Sequence, residues 1–346
     1  MMGISTSIIG ILPPAASAGV GVVIVLQLMR LAQCFGRGGT WGGGILMAYE
    51  NVPENKRSFY AAIPQIGLPI GFGLSSILIA VPTLLLPEDI FFTWGWRIPF
   101  LAAIILTVIV IRQKGEMMET EDYKKAQAKL EAEEAEGKKH KVGFIPMVKG
   151  YWKTLLLGCG TRWVDGTFYN IFIVWILSYC INWLGMPLIQ TYIITIIACI
   201  FKIPFTLFGG WCAQKLGNTR TFVIGALASA VLSIPTLKVI ELSKGNLAIT
   251  IIGIVLGWSI AYNLIWAVIS SLWSSYFETE VRYSGISFVY HVPSFLVAGM
   301  VPTICTLLIN YGKGDTIYVG IYSTVVALIS AACALALKAR HDRGEK

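Results

Sequence analysis

The chain has 346 residues, of which 55% are hydrophobic and only 13% charged, with a mean hydropathy of +0.70. Soluble domains carry about 25% charged residues, and no ordinary globular core absorbs so much apolar side chain, so lipid must be the solvent for much of the molecule. The net charge of +8 raises nucleic acid as a partner, but the placement of the basic residues described below points to membrane topology and away from nucleic acid.

A bilayer core of about 30 Å takes roughly 20 apolar residues in helix. Residues 3–12 (GISTSIIGIL) are apolar but too short to cross, and read as the end of a helix. Nine complete spans follow, at about 20–48, 58–86, 94–112, 153–182, 188–212, 220–238, 246–274, 284–310 and 316–338. Several contain Gly or Pro, which predicts tilt and kinks. The fold class is therefore all-α, a polytopic transmembrane helical bundle of about nine complete spans and a partial one. The expected domains are a first helical bundle over 1–112, a central loop over 113–152, a six-helix bundle over 153–338 and a tail over 339–346.

Alternate loops differ in charge. Lys56, Arg57, ten basic residues from Arg112 to Lys153, Lys215, Arg220, Arg282, Lys338, Arg340, Arg343 and Lys346 share one side. The other side holds Lys238, Lys244 and Lys313. Cytoplasmic loops are enriched in Lys and Arg, so the first side and the C-terminus are expected to be cytoplasmic. Within the central loop, YKKAQAKLEAEEAEGKK has helix-forming composition with Glu121–Lys125 and Glu134–Lys138 at i, i+4. It reads as a solvated linker or as a regulatory helix. Trp94, Trp96, Tyr311 and Tyr318 sit near the outer borders as interfacial anchors.

Ionisable groups inside spans are the main functional signal. Each costs roughly 2.5–3.5 kcal/mol at a helix centre, so it faces a cavity or a partner. Here they are Arg30, Arg37, Arg162, Asp165, Lys202 and His291. Only one is acidic, which favours an anionic solute, and a guanidinium binds a carboxylate through two parallel hydrogen bonds. Arg162 and Asp165 are three residues apart and meet on one helical face. Asp165 is then either a proton carrier or a permanent counter-ion of Arg162. His291, two before Pro293, is a proton relay or a neutral partner of the carbonyl freed by that proline. Lys202, two before Pro204, lines a cavity or binds substrate. Arg37, seven residues beyond Arg30 and on roughly the same face, either shares its role or serves glycine-rich packing or snorkels toward the cytoplasm.

Glycines 36, 38, 39, 42, 43 and 44 permit close helix approach rather than phosphate binding, since no strand precedes them and no Gly-Lys-Ser/Thr follows. Cys34, Cys159, Cys180, Cys199, Cys212, Cys305 and Cys333 lie in apolar runs without a C-x-x-C pair and read as small hydrophobes. No catalytic triad order, metal-ligand cluster or nucleotide motif is present. No enzyme activity, cofactor or metal is expected.

Four stretches together carry a family likeness: LQLMRLAQCFGRGGTWGGGILMAYENVPENKRSFYAAIPQIGLPIG (26–71), WGWRIPF (94–100), GTRWVDGTFYNIFIVWILSY (160–179) and VRYSGISFVY (281–290). In these the chain resembles the major facilitator superfamily, and specifically its metabolite–proton symporter family. The resemblance implies twelve spans, of which residue 20 opens the fourth, so that the first two and most of the third are expected to be missing. It makes Arg30 and Gln33 the arginine and glutamine of a fourth-span motif linked to proton coupling, with Cys34 where that motif has glycine. Thr40 stands where glutamate is usual. GWCAQKLGNTR (210–220) matches the gating loop through Gly210, Gln214, Lys215, Gly217 and Arg220, with Gln214 at a usual aspartate and Asn218 at a usual arginine.

The implied function is secondary active transport across the cell membrane, by proton-coupled symport of a small organic anion such as a mono- or dicarboxylate. Arg30, Arg162 and Lys202 would hold the solute, and Asp165, Arg30 and His291 would handle the proton. Two alternatives stay open: a zwitterion such as proline or betaine as solute, and a remnant that no longer transports. The expected partners are solute, protons and the lipid bilayer.

Overall fold

Without water in the hydrocarbon, each spanning segment must satisfy its own backbone, which leaves helix as the solution for segments of this length. The structure, a computed structural model, describes residues 1–14, 18–38, 43–44, 48–49, 52–53, 56–114 and 144–345. The expected helix in the central loop and glycines 39 and 42 fall outside the described residues. Among the described residues there are helices and turns but no strand.

In chain order the helices are α1 (Met2–Ile11), α2 (Val20–Gly38), α3 (Arg57–Ala62), α4 (Gly67–Leu85), α5 (Ile98–Lys114), α6 (Phe144–Tyr169), α7 (Ile176–Asn182), α8 (Leu188–Leu216), α9 (Asn218–Leu242), α10 (Leu247–Ile254), α11 (Asn263–Ser274), α12 (Thr279–Pro293), α13 (Val301–Tyr311) and α14 (Ile317–Asp342). Among the described residues, seven stretches are long and apolar enough to cross a bilayer: Arg57–Leu85, Gly95–Arg112, Pro146–Asn182, Leu188–Leu216, Asn218–Leu242, Leu247–Ser274 and Ile317–Asp342. They match seven of the nine expected spans. Of 20–48, the structure describes α2 and a few residues beyond it. The span at 284–310 is broken: α12 ends at Pro293, a π-helical turn covers Ser294–Ala298, and α13 starts at Val301. Large apolar side chains such as Leu156, Ile200, Val231 and Leu307 are exposed, as lipid-facing surface requires.

The chain divides into two compact units. The first comprises Met1–Gly43 and Leu74–Glu119. In it α1 lies against α2 and α5. Gln33 donates from Nε2 to the Thr6 hydroxyl at 2.7 Å, and Arg97 donates from Nη2 to the Leu12 carbonyl at 2.9 Å, closing the open end of α1. The motif glutamine thus ties α2 to α1.

The second unit comprises Gly44–Gly73 and Thr120–Lys346. Its core is built where small residues let helices approach. A Cβ on Gly209 of α8 would stand 2.7 Å from Ala267 Cβ of α11, and one on Gly225 of α9 would stand 2.8 Å from Leu264 Cβ. Lipid offers little hydrophobic drive between helices, so such contacts and interhelical hydrogen bonds hold them together. Hydroxyl pairs add to this: Ser233 bonds Ser323 between α9 and α14, and Thr324 donates to the Ala230 carbonyl at 3.0 Å. At one end Lys238 binds Asp315 at 2.6 Å and Glu241 at 3.0 Å, while Glu241 accepts from the Thr316 N–H and hydroxyl. α3 and the turn that follows it are anchored on α11, where the Ala61 and Gln65 carbonyls accept from Ser270 and the Trp266 indole.

Candidate functional site

The second unit gathers its intramembrane charges into one buried cluster. On α6, Arg162 and Asp165 are almost completely buried, with 7% and 1% of their surface exposed, and form an ion pair through Nη1 and Oδ2. Their spacing of three residues places them on one face, as the sequence indicates. The second carboxylate oxygen, Oδ1, accepts from the Tyr262 hydroxyl, which enters from the start of α11. The Arg162 guanidinium lies 4.3 Å from the centre of the Tyr290 ring and donates from Nη2 to the Ser294 hydroxyl at 3.3 Å. Ser294 in turn donates to the Tyr290 carbonyl at 2.6 Å.

Lys202 of α8 has no exposed surface. Its ammonium is boxed between the ring faces of Trp258 and Tyr262, at 4.4 and 4.3 Å, and donates to the Trp258 carbonyl at 3.4 Å. Among the described residues no carboxylate pairs with it. Cation–π contacts of this kind gain strength when desolvated, and with the Trp258 carbonyl they are the contacts that the structure gives the Lys202 amino group. The Lys202 carbonyl accepts from the Asn263 amide at 2.8 Å and from Thr206 at 2.9 Å, which fixes the lysine's backbone against α11. The cluster thus runs from Lys202 through Tyr262, Asp165 and Arg162 to Tyr290 and Ser294, with contributions from α6, α8, α11 and the α12 segment.

Three π-helical turns border this cluster: Asn170–Trp175 beyond Asp165, Val255–Ala261 before Tyr262, and Ser294–Ala298, which begins at the partner of Arg162. A π turn inserts one residue into a helix and is frequent at functional sites. At Tyr262 the effect is direct, since its N–H bonds to the Gly257 carbonyl, five residues back.

Other expected residues lie elsewhere. Arg30 belongs to the first unit and is exposed on α2, and the side chain of Arg37 falls outside the described residues. His291 is partly buried with its ring edge-on to Tyr290 at 5.1 Å. In the expected gating loop, Gly210 packs on Phe59 and Ala62, Lys215 lies 4.2 Å from the Trp211 ring, Gln214 and Arg220 are exposed, and Gly217 turns the chain at φ +90°. Asn218 accepts from Ser271 at 3.1 Å. Beside this turn a cavity of about 330 Å³ is lined by Arg220, Tyr276, Lys338 and His341. A larger cavity of about 600 Å³, lined by Trp152, Leu156, Trp163, Val292 and Ile329, carries no ionised side chain and offers nothing to an ion.

Trp258, Tyr262, Tyr290 and Ser294 are cluster members that sequence reasoning missed. One signal was available: Trp258 and Tyr262 stand four apart in a span, at the spacing that puts two aromatic faces side by side.

The sequence profile described as the Major Facilitator Superfamily matches residues 1–302. The chain belongs to that superfamily. It is a multi-pass membrane transporter and not an enzyme. It is 30% identical over 345 residues to the shikimate transporter of Escherichia coli K12, covering 98% of this chain and 76% of that protein. It is 31% identical over 348 residues to the inner membrane metabolite transport protein YhjE of the same organism, covering 99% and 76%. The proline/betaine transporter of Salmonella typhimurium is 27% identical over 345 residues, covering 99% of this chain and 68% of that protein. Among solved structures, a D-xylose–proton symporter aligns with a TM-score of 0.68 at 15% identity, over 97% of this chain and 78% of that one. That likeness concerns the fold.

Proposed function

We propose that this chain is a proton-coupled symporter of a small organic anion, a carboxylate, working by alternating access in the cell membrane with its C-terminus in the cytoplasm. The observation that carries the reading is the composition of the buried cluster: it holds two basic side chains, Arg162 and Lys202, and one carboxylate, Asp165, which pairs with Arg162. Such a site has one positive charge in excess, which a solute carboxylate balances. Buried ions are tolerated in hydrocarbon only when paired, so anion entry relieves a cost that the empty site bears. Asp165 is the group suited to exchange the proton, because protonating it removes the counter-charge of Arg162 and frees that guanidinium for the solute. His291, near Tyr290, and Arg30 in the first unit are the remaining proton-handling candidates.

Among relatives, one is named for shikimate, a carboxylate, and others for the zwitterions proline and betaine. The aromatic box supports the acids. Trp258 and Tyr262 would suit a quaternary ammonium, but the box already holds the chain's own cation, Lys202. A second ammonium would meet like-charge repulsion in a low-dielectric site.

The test is uptake by proteoliposomes under an imposed pH gradient, with labelled shikimate, a four-carbon dicarboxylate, a 2-keto acid, proline and glycine betaine. The expected result is accumulation of one or more of the acids, abolished by a protonophore. Accumulation of proline or betaine alone would overturn the anion assignment, and uptake indifferent to the protonophore would overturn proton coupling.

A further inference from the structure

Tyr262 touches both groups on which coupled transport turns. Its hydroxyl donates to Asp165, and its ring face lies 4.3 Å from the Lys202 ammonium. The side chain has no exposed surface, and its ring stacks on Phe168 at 6.2 Å with 7° between planes. Its backbone is set by the π turn, and the Gly257 that accepts its N–H has the Phe172 ring where a Cβ would stand. The residue is therefore held in one orientation from both sides. The other charged or titratable groups facing it are Arg162 and Tyr169 on α6 and Tyr290 on α12.

We propose that Tyr262 is the coupling residue of this transporter, linking proton binding at Asp165 to the release of Lys202 toward the solute. The inference rests on the symport reading above and adds the physical link between its two halves. With Asp165 ionised, the phenol hydrogen bond is charge-assisted and draws the proton toward the carboxylate. The ring face then becomes more electron-rich and holds the ammonium of Lys202 firmly. When Asp165 takes up a proton, a new O–H bond forms on its carboxylate, Arg162 loses its counter-charge and Tyr262 loses its charged acceptor. The ring's hold on Lys202 weakens in the same event. Both cations then become available to one carboxylate of the solute.

The charge count agrees with obligatory coupling. Arg162, Lys202 and Asp165 sum to one positive charge; a proton makes it two, and a monocarboxylate returns it to one. Proton and anion each make the other's binding cheaper, and that linkage is reciprocal. A dicarboxylate would leave the cluster neutral with one proton and would keep the same net charge only with two.

The test compares Tyr262→Phe with the wild-type chain in proteoliposomes, using labelled shikimate and labelled proline as probes. The substitution keeps the ring, and so the stacking and the cation–π contact, and deletes the hydroxyl alone. Two readings are taken: accumulation driven by a pH gradient, and counterflow at equal pH, which needs solute binding and alternation but no net proton movement. The expected outcome is accumulation lowered at least about tenfold more than counterflow, inside the usual span of coupling factors. Wild-type accumulation by Tyr262→Phe overturns the assignment. So does a parallel loss of accumulation and counterflow, which marks a packing role. Asp165→Asn, measured alongside, separates the two levels. If it still accumulates solute as wild type does, or if the wild-type chain accumulates none of the five labelled solutes of the uptake panel, the symport reading falls and takes this inference with it. If it uncouples while Tyr262→Phe does not, only the role of Tyr262 falls.

Discussion

Removing the Asp165 carboxylate leaves the Arg162 guanidinium, with 7% of its surface exposed, facing an empty space where its counter-charge stood. Breaking a buried pair from one side costs about 3–5 kcal/mol, because the remaining ion is uncompensated, whereas replacing both partners by apolar residues is close to neutral or stabilising. Arg162 keeps its contacts with Ser294 at 3.3 Å and with the Tyr290 ring at 4.3 Å, which places Asp165→Ala toward the lower end of that range. At about 2 °C per kcal/mol for a chain of this size, the midpoint of thermal unfolding falls by roughly 6–8 °C. Arg162→Met combined with Asp165→Leu unfolds near the wild-type temperature and transports nothing. Cys180, Cys199 and Cys305 are buried thiols, so a thiol-reactive fluorophore in detergent reports unfolding directly. Asp165→Ala unfolding at the wild-type temperature would refute the reasoning, and so would a double variant as unstable as the single one.

Three further predictions follow from other parts of the fold. Gly209→Leu places a side chain 2.7 Å from Ala267 Cβ and 3.3 Å from the Asn263 carbonyl; forcing α8 off α11 costs about 1–3 kcal/mol and lowers the same thiol-reactivity midpoint. Asp315 is held below the usual carboxylate range by its hydrogen bond from Lys238 and by the Ile317 N–H. Its contribution is therefore complete above the unfolded value of about 3.9 and fades as pH falls through the lower folded value. Faster hydrogen exchange at the Ile317 amide, which Asp315 accepts, below pH ~4 is the expected sign, and exchange independent of pH after correction for its intrinsic rate would refute it. Finally, in a background with all seven cysteines replaced, Lys56→Cys and Lys313→Cys should react with an impermeant maleimide from opposite faces of the membrane. Labelling from the same face would contradict the charge-based topology.

The two levels of the structure differ in how far they were readable beforehand. Among the described residues, seven spanning stretches stand where runs of about 20 apolar residues predict them, because transfer of each residue into lipid adds almost independently of its neighbours. The Arg162–Asp165 pair was readable for a similar reason: three residues of helix put both side chains on one face whatever surrounds them. Lys202 was visible as a charge in a span, but its aromatic box was not, since Trp258 lies 56 residues away along the chain. The break between α12 and α13 was announced only by Pro293, whose missing N–H weakens a helix without dictating where it restarts.

Hydropathy and charge alone determined that the chain lives in a bilayer, where its helices run and which loops carry the basic residues, because these follow from local transfer energies and from periodicity. Tertiary packing decided which buried ions meet. Asp165 and Tyr262 are 97 residues apart, and Arg162 and Ser294 are 132 apart, so their contact depends on how each helix is rotated about its axis. Those rotations are set by close approaches at Gly209 and Gly225 and by π turns of a single residue, which leave average hydropathy unchanged while turning a side chain into or out of the cluster.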